Sequence, residues 1–145
     1  MHRLPAALCA LLMACQFDAV AADDAIRILR PEAIAYQTDP ALPGVSFAVV
    51  SGNPAGGAYT LRARFAPGTR LPAHTHPDTR TTTVLAGKYF FAAGERYDEA
   101  ALLPYGPGTV IVIPAGAAHF AATRDEEAVV QESGSGPTAT TPGRH

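Results

Sequence analysis

The sequence has no cysteine beyond residue 15, because its two cysteines, Cys9 and Cys15, both lie in the first apolar segment. Residues 23–145 therefore have no thiol to act as a nucleophile, to bind zinc or to form a disulfide. In an oxidising compartment the stability of such a domain has to come from its packed core alone.

Long hydrophobic runs and basic clusters are also lacking. The apolar run Leu4–Cys15 is too short for a stable transmembrane helix, and no later segment suggests a membrane span. Eleven basic residues stand against thirteen acidic ones, for a formal net charge of −2, with no run of lysine or arginine. This balance argues against nucleic acid as a partner.

The first 22 residues have the pattern of a signal peptide. A short basic start precedes the apolar run, and small residues follow at Ala21 and Ala22. We expect cleavage there and export to the periplasm or the medium. Two alternatives are lipoprotein processing at Cys15, since Leu12–Cys15 loosely resembles a lipobox, and an uncleaved anchor or buried helix.

Residues 23–132 are long enough for one domain with a core, and their turn residues recur at short intervals. Residues 59–65 alternate apolar and polar side chains, which is typical of a strand with one wet face. An all-β antiparallel fold is therefore predicted. Strands are expected at Ile26–Ile34, Val45–Val50, Tyr59–Phe65, Thr81–Leu85, Tyr89–Ala92, Val110–Ile113, His119–Thr123 and Ala128–Gln131.

Connections and termini have their own signals. Thr81–Leu85 and Tyr89–Ala92 flank Gly87 and are expected to form a hairpin. Residues 94–107 form the longest irregular piece, with room for a helical turn. Residues 133–145 are rich in Gly, Ser, Thr and Pro, and are expected to be a flexible tail.

Three histidines are the candidate metal ligands. His74 and His76 are two residues apart, so in a strand their imidazoles point to the same face. A third imidazole from the distant His119 would complete a three-nitrogen face for a divalent transition metal.

The first histidine pair lies in a stretch that resembles the first motif of the cupin superfamily. That motif has a glycine, five residues, His-x-His, three or four residues, a glutamate, six residues and a glycine. Here these positions are Gly68, His74, His76, Arg80 and Gly87. The glutamate is replaced by Arg80.

The third histidine lies in a stretch that resembles the second cupin motif. That motif has a glycine, five residues, Pro-x-Gly, two residues, a histidine, three residues and an asparagine. Here these positions are Gly108, Pro114, Gly116, His119 and Thr123. The Pro-x-Gly turn is expected to position the histidine, and Thr123 to affect local hydrogen bonding.

Arg80 cannot act as a ligand, because a guanidinium is always charged and has no lone pair to donate. Two roles stay open for it. It could clamp a carboxylate or phosphate substrate over the metal, or it could pair with Asp78, Glu95 or another acid. A replacement carboxylate could come from the last strand, where the candidates are Glu126, Glu127 and Glu132.

The resemblance implies a cupin-type antiparallel β-barrel, also called a double-stranded β-helix or jelly roll, and a possible homodimer. Together with the signal-peptide pattern, it implies an exported small cupin that binds Fe, Zn, Ni, Mn or Cu through three histidines, with dioxygenase- or isomerase-like activity on a small polar substrate. The alternative is a non-catalytic cupin that binds a small molecule or anion without a functional metal.

Overall fold

A computed structural model describes residues 25–143 of the chain. The expected signal peptide lies outside these residues. Within them the structure has eleven strands and two 3₁₀ turns, Pro31–Ala33 and Glu99–Ala101. The strands are β1 (Gln37–Thr38), β2 (Val45–Gly52), β3 (Tyr59–Phe65), β4 (Arg70–Thr75), β5 (Arg80–Ala86), β6 (Tyr89–Ala93), β7 (Leu103–Tyr105), β8 (Val110–Ile113), β9 (His119–Ala122), β10 (Ala128–Gly134) and β11 (Thr141–Pro142).

These strands form two antiparallel sheets. The six-stranded sheet has the order β1-β2-β3-β10-β5-β8, and the five-stranded sheet has the order β11-β4-β9-β6-β7. From β3 to β6 each successive strand lies in the other sheet, so strands that follow each other in sequence do not pair. This is the connectivity of a jelly roll. The predicted all-β antiparallel barrel is confirmed.

The main hydrophobic core lies between the two sheets. In β3 the alternation predicted from sequence is realised, with Tyr59, Leu61, Ala63 and Phe65 all buried. Side chains of both sheets meet in this core: Val45, Ala63, Phe65, Leu71, Val84, Tyr89, Ala121, Ala128 and Val130.

A smaller cluster covers the outer face of the five-stranded sheet. It contains Ala73, Phe90, Leu102, Phe120 and Ala122, with the ring of Tyr97 packed against Phe120. Both faces of this sheet are therefore covered, which explains why all four residues of β9 are buried. Residues of β9 alternate between the two clusters, so that His119 and Ala121 face the interior.

The strand predicted at Ile26–Ile34 is wrong. Ile26 and Ile28 are 95% and 83% exposed, and Pro31 begins a 3₁₀ turn. Proline fixes φ and has no N–H to donate to a neighbouring strand. Ile26 and Ile28 are therefore not buried in either sheet, although the segment is apolar in composition.

The hairpin predicted around Gly87 is also wrong. Both of its strands exist, but β5 pairs with β10 and β8, whereas β6 pairs with β9 and β7. Gly87 has φ of +70°, and a Cβ there would lie 2.0 Å from the carbonyl oxygen of Glu127. The glycine is needed where the chain crosses between sheets, not for a two-residue turn.

The C-terminal segment differs from the flexible tail expected from Ser133. Strand β10 continues to Gly134, and β11 pairs with β4, with Thr141 opposite Thr75 and Pro142 opposite His74. Strand pairing therefore continues beyond residue 132, as far as Pro142. Within residues 25–143 no helix has the length and hydrophobicity to cross a membrane.

Candidate metal centre

A bulge in β4 turns the first two histidines inward. Leu71 and His74 both face the interior, although residues three apart in a regular strand point to opposite faces. The pairing of β4 with β9 shifts register between Leu71, opposite Ala121, and His74, opposite His119. The extra residue leaves Ala73 in the outer cluster and brings His74 and then His76 to the inner face.

The three histidines converge, as the sequence predicted. Each of the three side chains is at most 5% exposed. Ring centroids are 4.3 Å apart for His74 and His119, 4.8 Å for His74 and His76, and 5.2 Å for His76 and His119. One potential ligand atom from each lies within 4.8 Å of the other two. The set has the size of a single-ion site.

Hydrogen bonds fix the orientation of all three imidazoles. Each Nδ1 lies close to a backbone carbonyl oxygen: Pro72 for His74 at 2.8 Å, Ala117 for His119 at 2.9 Å, and Ala139 for His76 at 2.7 Å. A carbonyl oxygen only accepts, so each Nδ1 carries the proton and each Nε2 keeps a lone pair. In metal sites, such carbonyl acceptors fix the tautomer and the ring orientation of histidine ligands.

Burial keeps the histidines neutral at physiological pH. Desolvation, followed by the effect of His119, lowers the pKa of His74 to about 3. Desolvation and then the Arg80 charge lower the pKa of His76 to about 3, and burial also lowers the pKa of His119. Neutral imidazoles are the protonation state that a metal requires.

The Pro114–Gly116 turn links the two motifs directly. Gly116 has φ of +75°, which favours glycine, and its N–H donates to the carbonyl oxygen of His76 at 2.8 Å. Thr123 has the local hydrogen-bonding role expected of it: its Oγ1 accepts from the N–H of Thr69 and donates to the carbonyl oxygen of Ala66.

Arg80 is buried in an ion-pair network and does not present its fork to the site. Its Nη1 donates to Glu132 Oε2 at 2.7 Å, and its Nη2 lies 3.4 Å from Asp78 Oδ1 and donates to Thr138 Oγ1. Of the two roles left open by the sequence, the structure supports pairing with acids. Asp78 was one expected partner, whereas the other, Glu95, lines a groove together with His74.

Glu132, which the sequence analysis considered only as a replacement ligand, is instead a partner of Arg80. Ala128, Val130 and Glu132 alternate along β10, so the carboxylate points to the same interior as two core residues. The inward direction of Glu132 could have been predicted from this alternation in the sequence. Of the other two acids considered as ligands, Glu127 pairs with Arg64 at 3.1 Å and Glu126 is exposed.

The wall opposite the histidines carries a net negative charge. His74 and His119 lie in β4 and β9 of the five-stranded sheet and His76 directly follows β4, whereas Arg80 and Glu132 lie in β5 and β10 of the facing sheet. Asp78 lies in the loop between β4 and β5. Burial alone would raise the pKa of Asp78, but hydrogen bonds from Thr138 and Tyr59 and the Arg80 charge lower it. Two carboxylates against one guanidinium leave one negative charge, which favours a cation between the sheets.

A family model, that of the ChrR cupin-like domain, matches residues 25–138. The chain belongs to this cupin family. The match covers both histidine motifs and ends within the C-terminal segment that packs on β4. Comparison with curated protein sequences gives no match.

Solved structures show the same cupin fold. The chain is similar to the polyketide cyclase RemF from Streptomyces resistomycificus, with a TM-score of 0.68 and 16% identity, covering 81% of this chain and 85% of that one. KdgF from Halomonas sp. has a TM-score of 0.60 and 18% identity over 75% and 94%. An RmlC-like cupin from Shewanella frigidimarina NCIMB 400 has a TM-score of 0.60 and 13% identity over 77% and 91%.

Proposed function

We propose that this cupin binds one divalent transition metal ion through the Nε2 atoms of His74, His76 and His119. The observation that carries the proposal is the combination of convergence and orientation. The ligand atoms lie within 4.8 Å of one another, and every Nδ1 is hydrogen-bonded to a backbone carbonyl oxygen.

The donor set fits Fe, Zn, Ni, Mn or Cu. Neutral imidazole suits each of these ions to a different degree. The net negative charge of the facing wall takes over part of the electrostatic role of the glutamate that Arg80 replaces. Three protein ligands leave coordination positions open, as in catalytic sites.

The open positions suit a small oxygen-containing ligand. Arg80 Nε and Thr82 Oγ1 are buried without a hydrogen-bond partner, and both belong to the face of β5 that points between the sheets. An oxygen atom bound there could accept from both groups. With the metal as Lewis acid or oxygen-binding centre, this arrangement supports dioxygenase- or isomerase-like chemistry on a small polar substrate. Arg80 would then contact substrate through Nε alone.

Export and dimerisation are part of the same proposal. The basic start and apolar run of residues 1–22 support cleavage and a periplasmic or secreted location. The strands β8 and β7 end their sheets with exposed edges, at which Val110, Val112 and Leu103 are exposed. Such edges favour pairing with a second copy.

Metal analysis of protein purified without a histidine tag tests the metal proposal. We expect about one ion per chain in the wild type and loss of most of it in His119→Ala. Thr81→Ala is the matched control, because Thr81 is exposed on the outer face of β5. Equal metal content in wild type and His119→Ala, with both proteins folded, would overturn the proposal.

A further inference from the structure

The last described residues of the chain form a strap across the edge of the five-stranded sheet. This C-terminal strap, residues 137–143, is fixed at both ends by backbone hydrogen bonds. The N–H of Thr138 donates to the carbonyl oxygen of Pro54 at 2.7 Å, and the N–H of Gly143 donates to that of Ala73 at 2.7 Å. Between them, β11 covers the edge of β4, the strand that contains His74 and ends just before His76.

The strap supplies the acceptor that orients His76. The other two acceptors are local, since His74 and His119 each donate to the carbonyl of the residue two positions earlier. His76 instead donates to Ala139, which is 63 residues away in the chain. His76 is therefore the one of the three histidines whose orientation depends on the C-terminal strap.

The strap also contacts the ion-pair network behind the histidines. The hydroxyl of Thr138 donates to Asp78 Oδ1 at 2.6 Å and accepts a hydrogen bond from Arg80 Nη2. Thr138 thus bridges the Asp78 carboxylate and the Arg80 guanidinium, and the next residue, Ala139, accepts the hydrogen bond of the candidate ligand His76. Neighbouring residues of one segment therefore contact both halves of the site.

A groove of about 390 Å³ lies beside the strap, lined by His74 together with Thr140, Pro142 and Gly143. Register places Pro142 directly opposite His74 across β11 and β4. At this edge the strap therefore lines the groove next to His74. The family match ends at residue 138, so the part of the strap that begins with Ala139 lies beyond the matched domain.

We infer that the C-terminal strap is a positioning element of the metal centre. It holds His76 as the Nδ1–H tautomer with Nε2 towards the ion, and it slows metal exchange at the β4 edge. This inference rests on the proposed function. Outer partners of metal-binding histidines typically contribute about 10- to 100-fold to metal affinity, and we expect a loss in that range without the strap.

The direct test compares two truncations of the full chain. A stop after Gly136 removes the strap, and a stop after Gly143 removes only residues 144 and 145. With Zn²⁺ as the probe and a competing chelator, the shorter protein should bind about 10- to 100-fold more weakly and release the ion faster. The longer one should match the wild type. Equal affinity and release rate in the two truncations, both folded, would overturn the inference.

Ring nitrogen chemical shifts of His76 provide a readout that does not need a metal. In the metal-free full chain we expect the Nδ1–H tautomer at His74, His76 and His119. In the shorter truncation His76 alone should become a mixture of tautomers. A His76 tautomer unchanged by truncation would contradict the inference. If wild-type protein binds no Zn²⁺, the proposed function fails, and the tautomer still decides the role of the strap.

A point substitution covers the case in which the shorter truncation does not fold. Thr138→Val keeps the shape of the side chain but removes the hydroxyl, whereas Thr138→Ser keeps the hydroxyl. We expect faster Zn²⁺ release from Thr138→Val than from Thr138→Ser, because the strap is then less firmly attached to Asp78 and Arg80. Indistinguishable release rates would count against the inference.

Discussion

Acid should destabilise the metal-free protein well above the pH at which carboxylates titrate. In the folded state the pKa values of His74 and His76 are about 3, against 6.5 ordinarily. Between these values the unfolded chain binds more protons than the folded one. The free energy of unfolding therefore falls as pH falls through this window.

The size of the effect follows from the two pKa values. A histidine that ionises at pH 6.5 when unfolded, but stays neutral at pH 5 when folded, lowers stability by about 2 kcal/mol between pH 7 and pH 5. His74 and His76 together give about 4 kcal/mol, and burial of His119 acts in the same direction. Since domains are typically stable by about 5–15 kcal/mol, this loss is between about a quarter and four fifths of the total.

Urea unfolding of chelator-treated protein at pH 7, 6 and 5 measures this dependence. Asp78 does not interfere, because its lowered pKa removes stability only as pH falls below its ordinary value of 3.8. His76→Gln removes one titrating group and should reduce the slope against pH. A free energy of unfolding that stays constant from pH 7 to pH 5 would refute the buried, neutral state of the histidines.

Three further predictions concern the ion pairs, export and assembly. Arg80→Met should lower the free energy of unfolding by about 3–5 kcal/mol in urea, because Asp78 and Glu132 stay buried without their counter-ion. Arg80→Glu should also destabilise, and the added Glu132→Arg exchange should restore part of the loss; no recovery would contradict the pairing. N-terminal sequencing of exported protein should begin after residue 21 or 22, whereas a lipidated Cys15 would indicate the lipoprotein route and an intact start would refute cleavage. Light scattering should give the mass of a dimer, and a monomer at all concentrations would contradict it.

Much of the fold and of the site could be predicted from local periodicity in the sequence. The alternation of Tyr59–Phe65 has a period of two, which any strand with one buried face must show. The spacing of His74 and His76 likewise requires only that they lie in one extended segment. The third histidine was found through the second cupin motif, because its distance in sequence gives no geometric information.

Features that depend on long-range pairing were missed. The bulge between Leu71 and His74 arises from the register against β9, and no residue pattern within β4 predicts it. The partner strands of β5 and β6 are set by the jelly-roll topology, so that the local turn signal at Gly87 was misleading. The polar composition of residues 133–143 suggested flexibility, yet Thr138 and Ala139 form hydrogen bonds with the site. Composition does not reveal a polar segment whose partners are buried polar groups.

X-ray absorption spectroscopy of the metal-loaded protein shows directly whether the three histidines bind one ion. We expect three imidazole nitrogens around one ion, at about 2.0–2.1 Å if the ion is Zn²⁺, with the remaining positions filled by oxygen. In His119→Ala the imidazole contribution should fall by one or the ion should be lost. A metal bound by oxygen ligands alone, or an imidazole signal unchanged in His119→Ala, would contradict the three-histidine centre.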